Sequence, residues 1–87
     1  MTDISWSQKA WKQYLEWQET DRKKLQRINM MIRDILRNGP VEGIGKPEAL
    51  RYRNGYSRRI DEENRLVYDV CPDGSLRILS CKSHYEE

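Results

Sequence analysis

The stretch "NRLVYDVCPDGSLRILSCKSHY", residues 64–85, decides how this chain folds. Two runs rich in Leu, Ile, Val and Tyr flank Asp73-Gly74, a strong hairpin signal. If Asp73 and Gly74 make a two-residue turn, Pro72 pairs with Ser75, Cys71 with Leu76, Val67 with Ser80, Arg65 with Lys82 and Glu63 with His84. Paired residues share a face, and faces alternate along each strand. One face then carries Leu66, Tyr68, Val70, Leu79 and Cys81 and is expected to meet the core. The other carries Arg65, Val67, Asp69, Ser80, Lys82 and His84 and stays open. A one-residue shift of the turn would turn His84 inward.

Working upstream, "GYSRRID" (55–61) reads as another strand, with Ile60 in the core and Arg59 on the open face beside Arg65. Residues 39–47, "GPVEGIGKP", hold three of the five glycines and two of the three prolines and are expected to be loop. Before them, residues 20–40 give a helix capped by Thr20 or Asp21, with Leu25, Ile28, Ile32, Ile35 and Leu36 on one stripe and a stop at Asn38-Gly39-Pro40. Its other face, with Arg22, Lys23, Lys24, Arg27, Arg33 and Arg37, is either a solvated surface or a track for phosphates. Ser7 caps an earlier helix, "SQKAWKQYLEWQ", in which Ala10, Trp11, Tyr14, Leu15 and Gln18 recur at helical spacing. Trp11 and Tyr14 are assigned to the core and Trp17 to a partner contact. "DISW" (3–6) suits a short first strand. The outline is an α+β domain, β-α-α-β-β-β, an antiparallel sheet with two N-terminal helices packed on one face.

The 87 residues make one domain, 1–87, able to bury a modest core. Hydrophobic residues form 37% and charged residues 34%, so each element must bury one face and wet the other. The net charge of +2 permits a nucleic-acid partner without demanding one. No run has the length of a membrane span, and "MTDISWSQ" has no signal-peptide core, so a cytoplasmic location without membrane contact is expected. Cys71 and Cys81 have neither metal nor redox spacing and read as reduced. A single histidine without a cluster of acids makes a poor metal site, so neither metal nor cofactor is expected.

His84 is the sole imidazole, within the last four residues of the sequence. The register places it near Arg65, with Arg59 on the same face. Either Glu48, delivered by the loop "GIGKPEAL", or Glu63, opposite His84, supplies a carboxylate. Such a set suits metal-free RNA cleavage by internal transfer. A base takes the ribose 2′-hydroxyl proton, cations stabilise the phosphorane, and an acid protonates the leaving 5′-oxygen.

"GIGKPEAL" (43–50), "SRRIDEENRLVY" (57–68), a closing "HY" (84–85) and the upstream "WSQKAWKQYLEWQETDRKKLQRINMMIRDI" (6–35) together resemble the YoeB/Txe family of bacterial toxins, within the RelE superfamily. The resemblance implies a microbial-ribonuclease-like sheet with two helices. It also implies the toxin of a type II toxin–antitoxin system, a ribosome-dependent endoribonuclease that cuts messenger RNA in the decoding site. Implied partners are a YefM/Phd-type antitoxin, ribosomal RNA, messenger RNA and a second copy of the chain, with operator DNA reached only through the antitoxin complex. By position, Glu48 matches the general base, Arg65 the arginine on the scissile phosphate, His84 the general acid and Tyr85 the terminal aromatic that holds the nucleotide. Arg59 matches a second phosphate-facing arginine and Lys46 a backbone contact, while Glu63 is kept as a group that orients His84 or raises its pKa. The chain departs from the family in a shorter loop, "RNGYSRR", with Tyr56 where a Trp is common, in Asn64 where many members have His, and in Glu86-Glu87 after "HY".

Two other functions are compatible with this fold. A non-catalytic toxin like the ParE proteins would generally lack the Glu/Arg/His set. A module that only binds RNA or ribosomes would keep inhibiting translation after replacement of His84.

Overall fold

The computed structural model describes residues 3–83. Strand β1 (Ile4–Trp6) leads into helices α1 (Gln8–Thr20) and α2 (Arg22–Asn38), followed by β2 (Glu48–Ala49), β3 (Tyr56–Arg59), β4 (Arg65–Val70) and β5 (Leu76–Ser80). The strands form one five-stranded sheet in the order β1-β5-β4-β3-β2. Neighbours run antiparallel except β1, which lies parallel to β5 at the edge. The expected α+β outline is present with two additions: the parallel edge strand makes the sheet mixed, and β2 arises where loop passes into "PEAL".

Capping explains the helix boundaries. The Ser7 hydroxyl accepts from the Ala10 N–H at 2.9 Å and donates to the Leu79 carbonyl at 2.8 Å, so one side chain starts α1 and docks it on β5. Asp21 ends α1 and caps α2 by accepting from the N–H groups of Lys23 and Lys24. Gly39, at φ 90°, closes α2 by donating to the Ile35 carbonyl, and Pro40 prevents continuation.

Both helices cover the same face of the sheet. Ala10 and Trp17 from α1 and Ile28, Met31, Ile32 and Ile35 from α2 pack on Ile60, Leu66, Tyr68, Leu76, Ile78 and Cys81. Each fully buried aliphatic side chain stabilises the fold by about 1.5–3 kcal/mol. Leu36 and Leu15 fall at the margins of their stripes and are exposed.

The assignment of the tryptophans is reversed by the structure. Trp17 is only 7% exposed and donates from Nε1 to the Cys81 carbonyl at 2.7 Å. Trp11 is 48% exposed and stacks with Tyr14 beside Trp6, with ring centroids 5.9 and 5.8 Å away. Helical angle explains the exchange: Ala10, Tyr14 and Trp17 follow i, i+4, i+7, and Trp11 sits a hundred degrees beyond Ala10.

The β4–β5 hairpin differs from expectation in two places that offset each other. Its loop has three residues, Pro72, Asp73 and Gly74, because Cys71 and not Pro72 bonds Ser75, with Gly74 at φ 89° donating back to Cys71. Val70 therefore pairs with Leu76 and Tyr68 with Ile78. Leu79 is then an extra residue in β5, a bulge that restores the expected pairing of Val67 with Ser80. The bulge lets Leu76, Ile78 and Cys81 all enter the core, and it leaves Leu79 only half-buried. Val70, expected in the core, is exposed.

Candidate active site on the open face of the sheet

Ser57, Val67 and Ser80 lie abreast on β3, β4 and β5 and give the uncovered face a floor of small, buried side chains. Arg65 lies across this floor. Its Nε donates to Ser57 Oγ at 3.0 Å, and its Nη2 donates to Glu48 Oε2 at 3.2 Å. Glu48 is there because β2 pairs it with Ser57. The two partners differ in exposure, 19% for the Arg65 side chain and 61% for that of Glu48. A pair so open to water holds its geometry at little energetic gain, about 0–1 kcal/mol. The carboxylate can therefore leave the guanidinium for another group at small cost. Arg59 pairs with Arg65 across β3–β4 and is exposed.

Lys46 and Glu48 arrive on a loop with a tightly fixed path. Gly45 accepts the Arg59 N–H at 2.7 Å, and a Cβ on Gly45 would meet Met31 Sδ at 2.9 Å and the Arg59 carbonyl at 3.1 Å. Lys46 follows with a left-handed φ of 52°, a conformation that costs a non-glycine residue free energy. The anchor beneath is Arg58, whose side chain is fully buried. Its Nε donates to Tyr68 Oη, Nη1 to Asp34 and the Ile44 carbonyl, and Nη2 to the Gly39 and Glu42 carbonyls. All five guanidinium N–H groups are thereby used, and three of their acceptors are loop carbonyls. The Arg58 hydrogen bond, followed by the one from Asn38, holds the Asp34 carboxyl below its ordinary pKa against partial burial.

The other edge of the site is organised by Asp61 and Asn64. Asp61 accepts from the backbone N–H groups of Glu63 and Asn64, from Asn64 Nδ2 and from Lys24 Nζ, the last at 2.7 Å. Burial opposes charge on Asp61, but these donors outweigh it and hold the carboxyl well below the usual range. Asn64 Oδ1 accepts the Ser83 N–H at 2.7 Å, and the Ser83 carbonyl accepts the Arg65 N–H at 3.1 Å. Arg65 thus bonds Ser83 and not Lys82, correcting the expected register at this end. Glu63 is exposed in the turn between β3 and β4, outside both strands. The expected partners at the end of the sequence, His84 and Tyr85, lie outside the described residues.

The structure thus brings Glu48 and Arg65 into contact, with Arg59 and Lys46 beside them. Ser57, Arg58 and Asn64 are positioning groups; the sequence reading assigned Ser57 and Arg58 no role and marked Asn64 only as a departure from the family's His. Alternation in "YSRRI" carried the signal for two of them, since it puts Ser57 with Arg59 and sends Arg58 inward with Ile60. The Cys81 thiol, pushed up to about 12 by burial and then by Glu16, is no nucleophile. No group of three metal-ligating side chains occurs among the described residues, and no helix of the structure is long and apolar enough to cross a membrane.

Residues 6–85 match the model of the YoeB-like toxin of bacterial type II toxin-antitoxin systems. The chain is 51% identical to Toxin YoeB of Escherichia coli strain K12 over 84 residues, covering 94% of this chain and 98% of that one. Among solved structures, the YoeB dimer from Staphylococcus aureus superposes with a TM-score of 0.89 at 46% identity, covering 97% of this chain and 98% of that one. A YoeB–YefM complex from the same organism gives 0.89 at 44%, covering 98% and 99%. Family model, sequence relatives and fold agree over almost the whole length, and the chain belongs to the YoeB family of toxins of bacterial type II toxin–antitoxin systems.

Proposed function

We propose that the protein is a ribosome-dependent endoribonuclease that cuts messenger RNA in the ribosomal A site without a metal ion, and so inhibits translation. The observation that carries this reading is the Glu48–Arg65 contact over the Ser57–Val67–Ser80 floor. A ribose 2′-hydroxyl and its adjacent phosphate are covalent neighbours, so their base and cation must also be neighbours. Glu48 takes the 2′-proton, Arg65 and Arg59 neutralise the phosphorane, and His84 protonates the leaving 5′-oxygen. Tyr85 holds the nucleotide, Lys46 contacts the RNA backbone, and Glu63 orients His84. The ties from Ser83 to Asn64 and Arg65 support this assignment, because His84 is the next residue in sequence.

The same reading assigns partners. A YefM-type antitoxin, of the kind seen in the Staphylococcus aureus complex, sets acidic groups against Arg59 and Arg65. Trp11, exposed over the half-buried Trp6 and Tyr14 rings it packs on, is the centre of the surface for a second copy of the chain. The protein acts in the cytoplasm, where its ribosomal and messenger RNA partners are.

Cell-free translation of a defined message, with primer extension to map cuts, tests the chemistry. Cuts that require ribosomes and vanish in both Glu48→Ala and His84→Ala are expected. Inhibition without cuts, equal in the variants, would overturn the nuclease in favour of a binding protein.

A further inference from the structure

Further along the open face from Arg65, Asp69 and Arg77 face one another across β4 and β5. Arg77 donates to Asp69 from Nε at 3.0 Å and Nη2 at 2.6 Å. Arg53, from the short loop between β2 and β3, donates to the same carboxylate from Nη2 at 3.2 Å. Two guanidinium groups share one nearly buried carboxylate, and each remains close to half exposed. The cluster keeps a net positive charge, with the Nη1 groups of both arginines unbonded among the described residues. A carboxylate beneath a pair of arginines holds their planar forks in place and reduces the ordering they would otherwise undergo on meeting a phosphate.

These side chains line a cleft of about 910 Å³, whose remaining wall includes Leu50, Tyr56, Val70 and Pro72. A cationic rim beside an apolar and aromatic wall suits a nucleotide, with its phosphate on the arginines and its base against the wall. Asp69 is four residues from Arg65 along β4, about 13 Å at roughly 3.3 Å per residue. That separation is within reach of a nucleotide flanking the one at Arg65. An acidic protein segment would match the charge but would leave the apolar wall unexplained.

We propose that Arg53 and Arg77, held by Asp69, form a phosphate subsite for an RNA nucleotide flanking the scissile one. This subsite rests on the nuclease reading of the Glu48–Arg65 site and extends it to substrate selection. The shortened loop then has a function, since it delivers Arg53 to the sheet.

The probe is a labelled short single-stranded oligoribonucleotide, titrated by fluorescence anisotropy at several salt concentrations. Arg53→Ala and Arg77→Ala should each weaken binding about tenfold and lower the slope of log K against log salt by about 0.7. Arg77→Lys should keep the slope and lose part of the affinity, because charge remains without the fork. Circular dichroism should show both variants folded with only a small fall in melting temperature, because each leaves Asp69 one arginine partner. In the translation assay both alanine variants should need more protein for the same cuts, with the maximal rate unchanged. Wild-type affinity and slope in both variants would overturn the subsite. So would a loss confined to polyglutamate binding, which would make this an acidic-protein surface. If wild type cuts messages and the variants cut them equally well, the subsite falls and the nuclease stands. If wild type binds RNA through these arginines without cutting, the subsite stands and the nuclease falls.

Discussion

Arg58 and Arg65 stand on neighbouring strands at adjacent steps of the β3–β4 register, and one residue of parity separates their fates. Arg58 enters the core with every N–H satisfied. Arg65 stays at the surface with one donor on a hydroxyl and one on an exposed carboxylate. Burying a guanidinium costs several kcal/mol, which only a complete set of acceptors offsets. An arginine so committed has nothing left for substrate. Arg65 makes the opposite choice: weak holding contacts, unused donors and access to solvent, which is what a group recruited by a phosphate needs. The contrast separates the arginine that builds the candidate site from the one proposed to work in it.

The largest expected effect tests the working arginine. Arg65→Ala should reduce ribosome-dependent cutting about 10²–10³-fold, the usual loss of one transition-state charge donor. Its unfolding free energy should change by less than about 1 kcal/mol. A large stability loss in urea titrations would erase the distinction from Arg58. The building arginine gives the converse result. Arg58→Met strands the Asp34 carboxylate and orphans the carbonyls of Gly39, Glu42 and Ile44, so about 3 kcal/mol of stability should be lost. A loss below about 1 kcal/mol would show that the loop carrying Lys46 and Glu48 is held by other contacts.

Alternation was enough to place Ile60, Leu66 and Tyr68 in the core and Arg59 and Arg65 outside it, because a period of two follows from strand geometry. The short first strand and the first helix cap were legible for the same local reasons, in "DISW" and Ser7, and the second cap was narrowed to Thr20 or Asp21, of which Asp21 caps the helix. What stayed hidden depends on neighbours distant in sequence. Residues 48 and 49 count as strand only because Ser57 and Tyr56 pair with them. The Leu79 bulge depends on what β5 must bury against α1 and α2, a tertiary demand with no sequence signature. Asn64, marked in the sequence only as a replacement for the family's His, gains a structural role once Ser83 is seen beside it. Family resemblance supplied Glu48 in preference to Glu63, and the Arg65–Glu48 contact gives that choice a geometry.

Trp11 and Trp17 repeat the comparison within one helix, at smaller magnitude. Trp17→Phe keeps an aromatic ring but loses the pyrrole half of the indole and leaves the Cys81 carbonyl without its donor, which should cost about 1–3 kcal/mol of stability. Trp11→Ala should leave monomer stability closer to wild type and instead weaken self-association, raising the dimer dissociation constant about tenfold in sedimentation runs. Undiminished dimerisation in Trp11→Ala would move the interface away from the Trp6–Trp11–Tyr14 cluster.

The smallest effect lies at the far edge of the site. Asp61 binds α2 through Lys24 and the β3–β4 turn through Asn64, and its carboxyl is held below the ordinary range. A depressed folded-state pKa means that the unfolded chain takes up the proton first as pH falls. The associated stability is therefore complete above the unfolded value, about 3.9, and disappears as pH drops below it toward the folded value. Asp61→Asn removes that dependence, so melting temperature should decline less steeply between about pH 5 and 3 in the variant than in wild type. Parallel acid limbs would mean that Asp61 is not the group being titrated. Asp34 would then carry the acid sensitivity, and protonation would act first on the Arg58 anchor of the Lys46–Glu48 loop instead of on the Asn64–Ser83 tie.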